Sequence, residues 1–596
     1  MANPRESDPR TLYLRAAVAL GAFVVITTEL LSFFAAISRP ALIVAWMLAA
    51  GIALAIVTRS RLRFPRPGIV DALLIAAIAV VLGVILVVAL ASPPNSADAM
   101  AYHLPRVLMW AQQRSVRFFA TPYLNQIMLQ PFGEYLMLHT YVLSGGDRFV
   151  NLAQWFGCVT AVIAVSLIAR SFGAGPRGQI VAALVCATLP NGILQATGAK
   201  NDYVMAAWLA ATVFFLLEVD MVFAGLALGL AIGTKATAYL YAPPLLLAIA
   251  ALSWRKWKVS AAGTVAICAL ALNAPQFARN VGLSRSPLGF DGAFGDGRFH
   301  WRNETFGWRQ TISNLIRNST EQLAFRDPRW NQKIYDWAVA AHRIIGADVN
   351  DPATTWTWST YAPPRNANHE VNAPNRWQIP LFAACFAALA LRREWRRMIG
   401  YATAIVAGFV LFCFYLKWQP FMARMFLPLF VLACPIAGVV LERIRPPAIP
   451  VLLCFLLLLN ARPALFQNWV RPLRGERSVL RTPRDLNYFA DMTQWNNRDS
   501  YLASMDAAAK LDCAVFGVDI NNLQLEYPFE ALLKERKPAV RFVHTGVSGP
   551  SAKYASTEAP CAVLCLDCAA DPARLASYHE FPEARRFGAF VLFARH

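Results

Sequence analysis

Apolar residues in this chain come in long blocks, not in stripes at a helix or strand period. Runs of roughly 18 or more recur, and each can cross a hydrocarbon core about 30 Å thick as a helix. The blocks predict about thirteen spans, at 13–37, 41–57, 69–91, 149–169, 178–196, 202–217, 219–234, 236–252, 259–276, 377–391, 398–416, 421–441 and 447–463. Three connections are long: 92–148, 277–376 and 464–596. The first contains PFGEYLMLHTYVLSG at 131–145, too short to span and carrying Glu134 and His139, and it reads as a helix lying at the interface. The second contains two amphipathic helices, around 308–324 and 330–345. From about residue 480 the pattern changes: CAVFGV, AVRFVH, CAVLCL and FGAFVLF are short β-type runs separated by polar, helix-permissive stretches. The expected architecture is an α-helical polytopic membrane protein with a small C-terminal α/β domain.

Composition agrees with this pattern. Apolar residues make up 57% of the 596 positions and charged residues only 15%, against about 25% in a soluble chain. The net charge of +20 would point to nucleic acid in a soluble protein, but here most cations sit between hydrophobic blocks. Arg5 and Arg10 precede the first span. Arg59, Arg61, Arg63 and Arg66 follow the second, and Arg170 and Arg177 the fourth. Arg255, Lys256 and Lys258 follow the eighth. Arg392, Arg393, Arg396 and Arg397 follow the tenth, and Arg443 and Arg445 the twelfth. With the N-terminus in the cytoplasm all these loops share the inner side, which satisfies the positive-inside rule. The three long connections then lie outside, including the C-terminal α/β domain. The first apolar run is too long for a cleavable signal and lacks a small-residue cleavage site. The organisation reads as a two-span extension (1–68), a transmembrane module (69–463) and a periplasmic C-terminal domain (464–596).

Seven of the 11 cysteines fall in apolar runs and read as small core residues. Cys513, Cys561, Cys565 and Cys568 fall in the polar C-terminal region, where a periplasmic location favours disulfides over zinc. Their pairing is open at this point.

Candidate chemistry gathers beside the outer ends of spans. Asp98, in SPPNSADAMAYHLPRVLMWAQQ, follows the third span and precedes Tyr102, His103 and Arg106. A carboxylate at the membrane boundary is expected to have a raised pKa, as a general base requires; the plainer alternative is a helix cap. Lys200, Asn201 and Asp202 stand between two spans, where Asp202 is either functional or the cap of the helix beginning YVMAAW. Lys235 marks the turn of a tight hairpin. Arg424 lies about one turn inside a span in FYLKWQPFMARMFLPLF, with Lys417 nearby, and either snorkels or grips an anion such as a lipid phosphate. Asp348, Asp351, His369 and Glu370 are ligand types without a strong metal spacing, and a solvated loop is the plainer reading.

The order of these segments resembles the GT-C fold of polyprenyl-phosphate-dependent glycosyltransferases, the family 39-like group that includes protein O-mannosyltransferases and the aminoarabinose transferase of lipid A. Asp98 in NSADAMAYHLPRV is similar to the acidic residue of the family's first outer loop, although Ala97 and Ala99 stand where many members carry a second acid. QPFGEYLMLHTYVLSGGDR is similar to the following Pro-containing segment, Lys200-Asn201-Asp202 to the family's short acidic entry into a span, AGLALGLAIGTKATAYLYAPPLLL to its Gly-rich hairpin, and WQPFMARMFLPLFVLA to its late Arg and Leu-Pro. The resemblance runs over most of residues 69–441.

It implies a bacterial inner-membrane enzyme that moves a sugar from a polyprenyl-phosphate donor to a hydroxyl of a glycan, lipid or protein acceptor, with inversion. Asp98 would act as base and Asp202 would orient. Arg424, Lys235, Lys200 and Lys417 would hold the phosphate, and Tyr102, His103, Arg106, Glu134 and Glu370 would support the acceptor. No cofactor or divalent metal is required, with Asp348, Asp351 and His369 as the nearest metal candidates, and no nucleic-acid partner is expected. The rivals are a lipid or glycan transporter or flippase, and an oligosaccharide ligase. Against transport stand the lack of an internal repeat and the position of the polar clusters at one boundary.

Overall fold

The computed structural model describes residues 6–59, 61–62, 66–253, 259–289, 301–491, 497–520 and 524–595. Arg5, Arg63, Arg255, Lys256 and Lys258, part of the basic-loop pattern, lie outside the described residues. The chain begins with α1 (Pro9–Phe33), α2 (Arg39–Arg59) and α3 (Ile69–Ala91), and the first long connection carries α4 (Leu104–Gln113) and α5 (Phe132–Ser144). Then come α6 (Leu152–Ser171), α7 (Pro176–Ala187), α8 (Asp202–Leu217), α9 (Met221–Thr234), α10 (Ala238–Ser253) and α11 (Val259–Ser284). The second long connection holds α12 (Trp308–Glu321) and α13 (Pro328–Ile345); α14 (Gln378–Ala388), α15 (Ile399–Tyr415), α16 (Leu427–Glu442) and α17 (Ala448–Phe466) follow. Among the described residues, eight apolar helices have the length and composition to cross a membrane, and five more, α7 to α10 and α14, are shorter. The chain is a multi-pass membrane protein.

Burial sorts these helices into a centre and a rim. Residues Asp202 to Leu216 of α8 are all buried, as expected of a helix apolar all round at the middle of a bundle. Gly157 of α6 allows the closest approach: a Cβ there would lie 2.7 Å from the Val204 backbone nitrogen of α8. At the rim α2 exposes Val44, Met47, Leu48, Ile52 and Leu54, a surface suited to lipid. Trp46 ties it in by donating from its indole to His139 Nδ1 at 3.1 Å.

Several predicted spans are reshaped by proline or by a buried charge. The 178–196 span breaks at Leu189, extended ahead of Pro190, into α7 and a short helix, Pro190–Gln195; a residue before proline is driven out of helical geometry. The 377–391 span is helical only over Gln378–Ala388. Arg424 stands not inside a helix but on a 3-10 turn, Met422–Phe426, immediately before α16. The predicted interfacial helix, α5, does not lie at a water surface. Glu134, Tyr135, Met137 and Leu138 are fully buried, because Arg106 pairs with Glu134 and His103 hydrogen-bonds it inside the protein.

The C-terminal region forms a five-stranded sheet of β1 (Val515–Asp519), β2 (Arg541–His544), β3 (Ala562–Cys565), β4 (Glu583–Phe587) and β5 (Phe590–Ala594). The spatial order is β2-β1-β3-β5-β4. β1 runs parallel to both neighbours, and β5 antiparallel to β3 and β4. The four predicted runs supply β1, β2, β3 and β5. The polar edge strand, β4, reads EARRF and escaped the apolar pattern. Disulfides join Cys513 to Cys561 and Cys565 to Cys568.

This sheet is anchored on the first long connection. The Gln112 amide donates to Phe542 O at 2.6 Å and accepts from Phe542 N at 3.1 Å, completing the outer edge of β2 as a further strand would. Asp147 accepts from Arg484 and Tyr488 at 2.6 Å and from Tyr527 at 3.0 Å.

Candidate functional site

The geometry brings Asp98 and Arg424, 326 residues apart, into a direct ion pair. Asp98 precedes a five-residue π-turn, Ala99–His103, and has helical backbone angles with no capping bond, so the cap alternative is excluded. π-turns are frequent at functional sites. Asp202 opens α8, also without a capping role, and its Oδ1 accepts from Lys235 Nζ at 2.5 Å. Lys235 is placed by a break in the chain: it is extended at φ −159°, so α9 ends before it and α10 begins after it. Lys200 pairs with Glu370 at 2.5 Å, and Arg471 pairs with the same carboxylate.

These pairs form one cluster. Asp98 lies within electrostatic reach of Arg424, Lys200 and His103, and Asp202 within reach of Lys235, Arg424 and Lys200. Three carboxylates (Asp98, Asp202, Glu370) face four cations (Arg424, Lys235, Lys200, Arg471), which leaves one positive charge in excess. The cluster has a front and a back. Side-chain exposure is 25% at Asp98, 16% at Lys235 and 10% at Arg424, whereas Lys200, Glu370 and Arg471 show 2% or less. Arg424 Nε and Asp202 Oδ2 are buried without hydrogen-bond partners. Such orphaned atoms are uncommon in a finished core and mark bonding capacity open to a ligand.

The electrostatics correct one expectation. Burial pushes the Asp98 carboxyl up, as the sequence argument anticipated, but Arg424, Lys200 and His103 outweigh it. The net effect holds the group well below the usual carboxylate range, so Asp98 is an anion at rest and not a poised base.

An apolar groove of about 290 Å³ opens between α12, α14, α15 and α16. Phe382, Phe386, Phe409 and Phe430 line it, with Gln322 and Phe426 also on its wall. Phe426 ends the turn that carries Arg424, so groove and cation share one structural element.

The remaining predicted residues fall into other places. Tyr102 is half-buried, its ring tilted at 39° to that of His103 with centroids 4.2 Å apart, within reach of Asp98, Arg424 and Asp202. His103 Nδ1 and Arg106 Nη1 both meet Glu134 Oε1 at 2.9 Å. Arg106 also donates to the carbonyls of Gln126, Ile127 and Leu129 and is fully buried. His103, Arg106 and Glu134 bind one another and brace the turn behind Asp98. Lys417 is taken up by Glu304 at 2.6 Å and Pro352 O at 2.9 Å, both in the second connection. The metal candidates do not converge. Asp348 and Asp351 accept from the nearby backbone nitrogens of Asn350 and Ala353, each at 2.9 Å, while His369 faces Asp491 at 3.6 Å.

Arg471 is the residue the sequence argument missed. It is the first cation after the last apolar block, and that position was its only signal. Its guanidinium reaches Asn95 Oδ1 at 2.8 Å and Thr197 Oγ1 at 3.0 Å. Gly198 makes room for it: a Cβ there would sit 2.9 Å from Nη2. A second unforeseen pair is Glu29 of α1 with Arg279 of α11, bidentate at 2.7 Å, with Tyr135 donating to Glu29 at 2.6 Å.

No family model matches the sequence, and no curated protein is similar to it in sequence. Solved structures do align. ArnT from Cupriavidus metallidurans bound to undecaprenyl phosphate superimposes with a TM-score of 0.51 at 15% identity, over 88% of this chain and 98% of that one. The apo form of the same protein gives 0.51 at 14% identity with the same coverage. The oligosaccharyltransferase of Archaeoglobus fulgidus aligns more loosely, at 0.42 and 12% identity, over 79% of this chain and 64% of that one. The likeness to ArnT shows a shared fold, and the fold of this chain is the GT-C arrangement that its segment order resembled.

Proposed function

We propose that this protein is a glycosyltransferase that moves a sugar from a polyprenyl-phosphate donor to an acceptor hydroxyl, with inversion, on the outer face of a bacterial inner membrane. The single observation that carries the reading is the convergence of a partly exposed carboxylate, Asp98, with the cations Arg424 and Lys235 and the backing Lys200. The apolar groove beside Arg424 supports it, because it suits an isoprenoid tail whose phosphate meets the guanidinium. The neighbouring structure was solved with undecaprenyl phosphate, a ligand of that class.

The chemistry follows from the charges. An incoming phosphate competes with Asp98 for Arg424, whose planar fork suits phosphate oxygens. Releasing the ion pair removes the main force that keeps Asp98 a weak base. Donor binding therefore raises the proton affinity of the carboxylate as the acceptor hydroxyl approaches it. The acceptor oxygen attacks the anomeric carbon, the bond from that carbon to the phosphate oxygen breaks, and the hydroxyl proton passes to Asp98. The leaving phosphate gains negative charge, and Arg424, Lys235 and Lys200 stabilise it in a site sheltered from water. A single displacement inverts the anomeric configuration. Asp202 positions Lys235 for this role.

The orientation follows the positive-inside pattern, with the N-terminus cytoplasmic and the C-terminal sheet periplasmic. Asp98→Asn tests the assignment directly. Transfer in reconstituted vesicles is expected to fall by about 10²-fold or more, while binding of polyprenyl phosphate is retained or strengthened because Arg424 is freed. An Asn variant with near-normal turnover removes the base role.

A further inference from the structure

A second cavity, of about 460 Å³, lies at the end of α17, separate from the apolar groove. Its size is within the range of small-molecule sites, about 300–1,000 Å³. Arg326 and Arg376 line it together with Asn366, Asn460, Gln467 and Trp469, and no carboxylate is on its wall. The two guanidiniums feel each other's charge without an offsetting anion. Arg376 donates from Nη1 to Ala324 O at 2.7 Å, yet its Nε is buried with no partner. Arg326 is exposed. Asn460 interrupts the apolar run VLLCFLLLLNARPALF, a polar side chain near the end of a span where leucine would serve packing. The indole of Trp469 is 50% exposed, and its backbone N–H is fixed to Asn368 O at 3.0 Å.

The cavity and the charged cluster are built on the same two segments. Ala373 and Pro374 line the cavity, while Glu370, just before them, reaches Lys200 and Arg471. Pro190 lines the cavity as well. The helix it begins sends Asn191 and Gln195 to the Glu370 carbonyl, at 3.1 and 2.5 Å.

We propose that this cavity binds an anionic saccharide. Paired guanidiniums recognise a carboxylate or phosphate substituent. The amides of Asn366, Asn460 and Gln467 are donors and acceptors of the kind that sugar hydroxyls need. The flat, apolar face of Trp469 offers a surface for the pyranose ring. A lipid phosphate would use the cations but leave the amides and the indole without a role. Binding stands on this geometry alone; that the saccharide is the acceptor rests on the transferase reading.

The test uses the full chain in a sugar-free zwitterionic detergent and a matched pair of probes. One is a β-1,4-linked glucuronic acid trisaccharide; the other is cellotriose, the same backbone without carboxylates. Tryptophan fluorescence and calorimetry are expected to show saturable binding of the uronate, with cellotriose weaker by about tenfold or more. Arg326→Ala and Trp469→Ala are each expected to weaken the uronate by about tenfold, while Trp337→Ala, an exposed indole that is not on the cavity wall, leaves it unchanged. Equal binding of the two probes, an unchanged affinity in both cavity variants, or binding of phosphatidylglycerol bicelles that the uronate does not displace overturns the proposal. Asp98→Asn separates this idea from the catalytic one. It is expected to lose transfer with uronate binding intact: transfer retained in this variant overturns the catalytic reading alone, and absence of uronate binding in the unsubstituted protein overturns the cavity reading alone.

Discussion

At the scale of single residues the site is governed by which buried charge is offset by which. Glu370 is shared by two cations that are themselves buried. Glu370→Gln therefore leaves Lys200 and Arg471 facing each other, and is expected to cost about 3–5 kcal/mol in unfolding experiments. Arg424→Lys keeps the charge but loses the planar fork, and is expected to lower kcat/KM by about 10²-fold. The pH profile follows from two opposite shifts. Asp98 is held below its unfolded value of about 3.9, so its ion pair contributes fully above that pH and is lost only as pH falls through the lower folded value. No acid limb from Asp98 is expected between about pH 5 and 7 in the donor-free enzyme. Lys200 shifts the other way from most lysines. Burial and the guanidiniums of Arg424 and Arg471 outweigh Asp98 and Asp202, and push it down to about 7. Its ammonium is lost as pH rises through that value, so donor affinity is expected to weaken on the alkaline side. Lys200→Arg is expected to move that limb upward in a donor-binding titration.

At the scale of elements, the charged side chains of the cluster are placed by breaks in helices. Asp98 precedes a π-turn, Lys235 is the extended residue at the break of a hairpin, and Arg424 sits on a 3-10 turn. Each break frees the backbone just where a side chain must turn towards the cluster. The helices behind are locked by close contact. Gly157→Ala drives a Cβ into the backbone of α8, which carries Asp202, and is expected to destabilise by about 1–3 kcal/mol and to reduce turnover. Gly51→Ala, with open space around it, is the matched control expected to be neutral in the same thermal assay.

For the whole molecule, the C-terminal sheet and the first long connection behave as one unit, joined through Gln112, Asp147, the Gln126 amide that donates to Glu526, and His544, whose Nδ1 lies 2.9 Å from Ala120 O. Reporter fusions after Ile345 and at the C-terminus are expected to read outside, and fusions after Arg170 inside. An inside signal at either of the first two positions breaks the proposed orientation.

How much of this was legible beforehand differs by level. Periodicity needs no partner to be read: block length fixed the number of apolar helices, and strand-like runs marked four of the five strands in the C-terminal sheet. β4 was hidden because an exposed edge strand keeps polar residues and gives up the apolar signal. Asp98, Asp202, Lys200, Lys235 and Arg424 were recognisable as charges at the ends of apolar blocks, since ionisable groups there carry a cost that packing alone does not justify. Their pairing was not legible, because contacts spanning hundreds of residues leave no local trace. Lys417 and Arg424 look alike in sequence, yet one is taken up by Glu304 and the other meets Asp98. The direction of the Asp98 shift likewise depended on distances: burial is foreseeable from position, whereas Arg424 and Lys200 gathered around one carboxylate exist only once the chain has folded. Sequence determined which segments enter the bilayer, because hydrophobic transfer is a property of each segment by itself. Tertiary structure decided which charges meet, because electrostatic energy belongs to pairs.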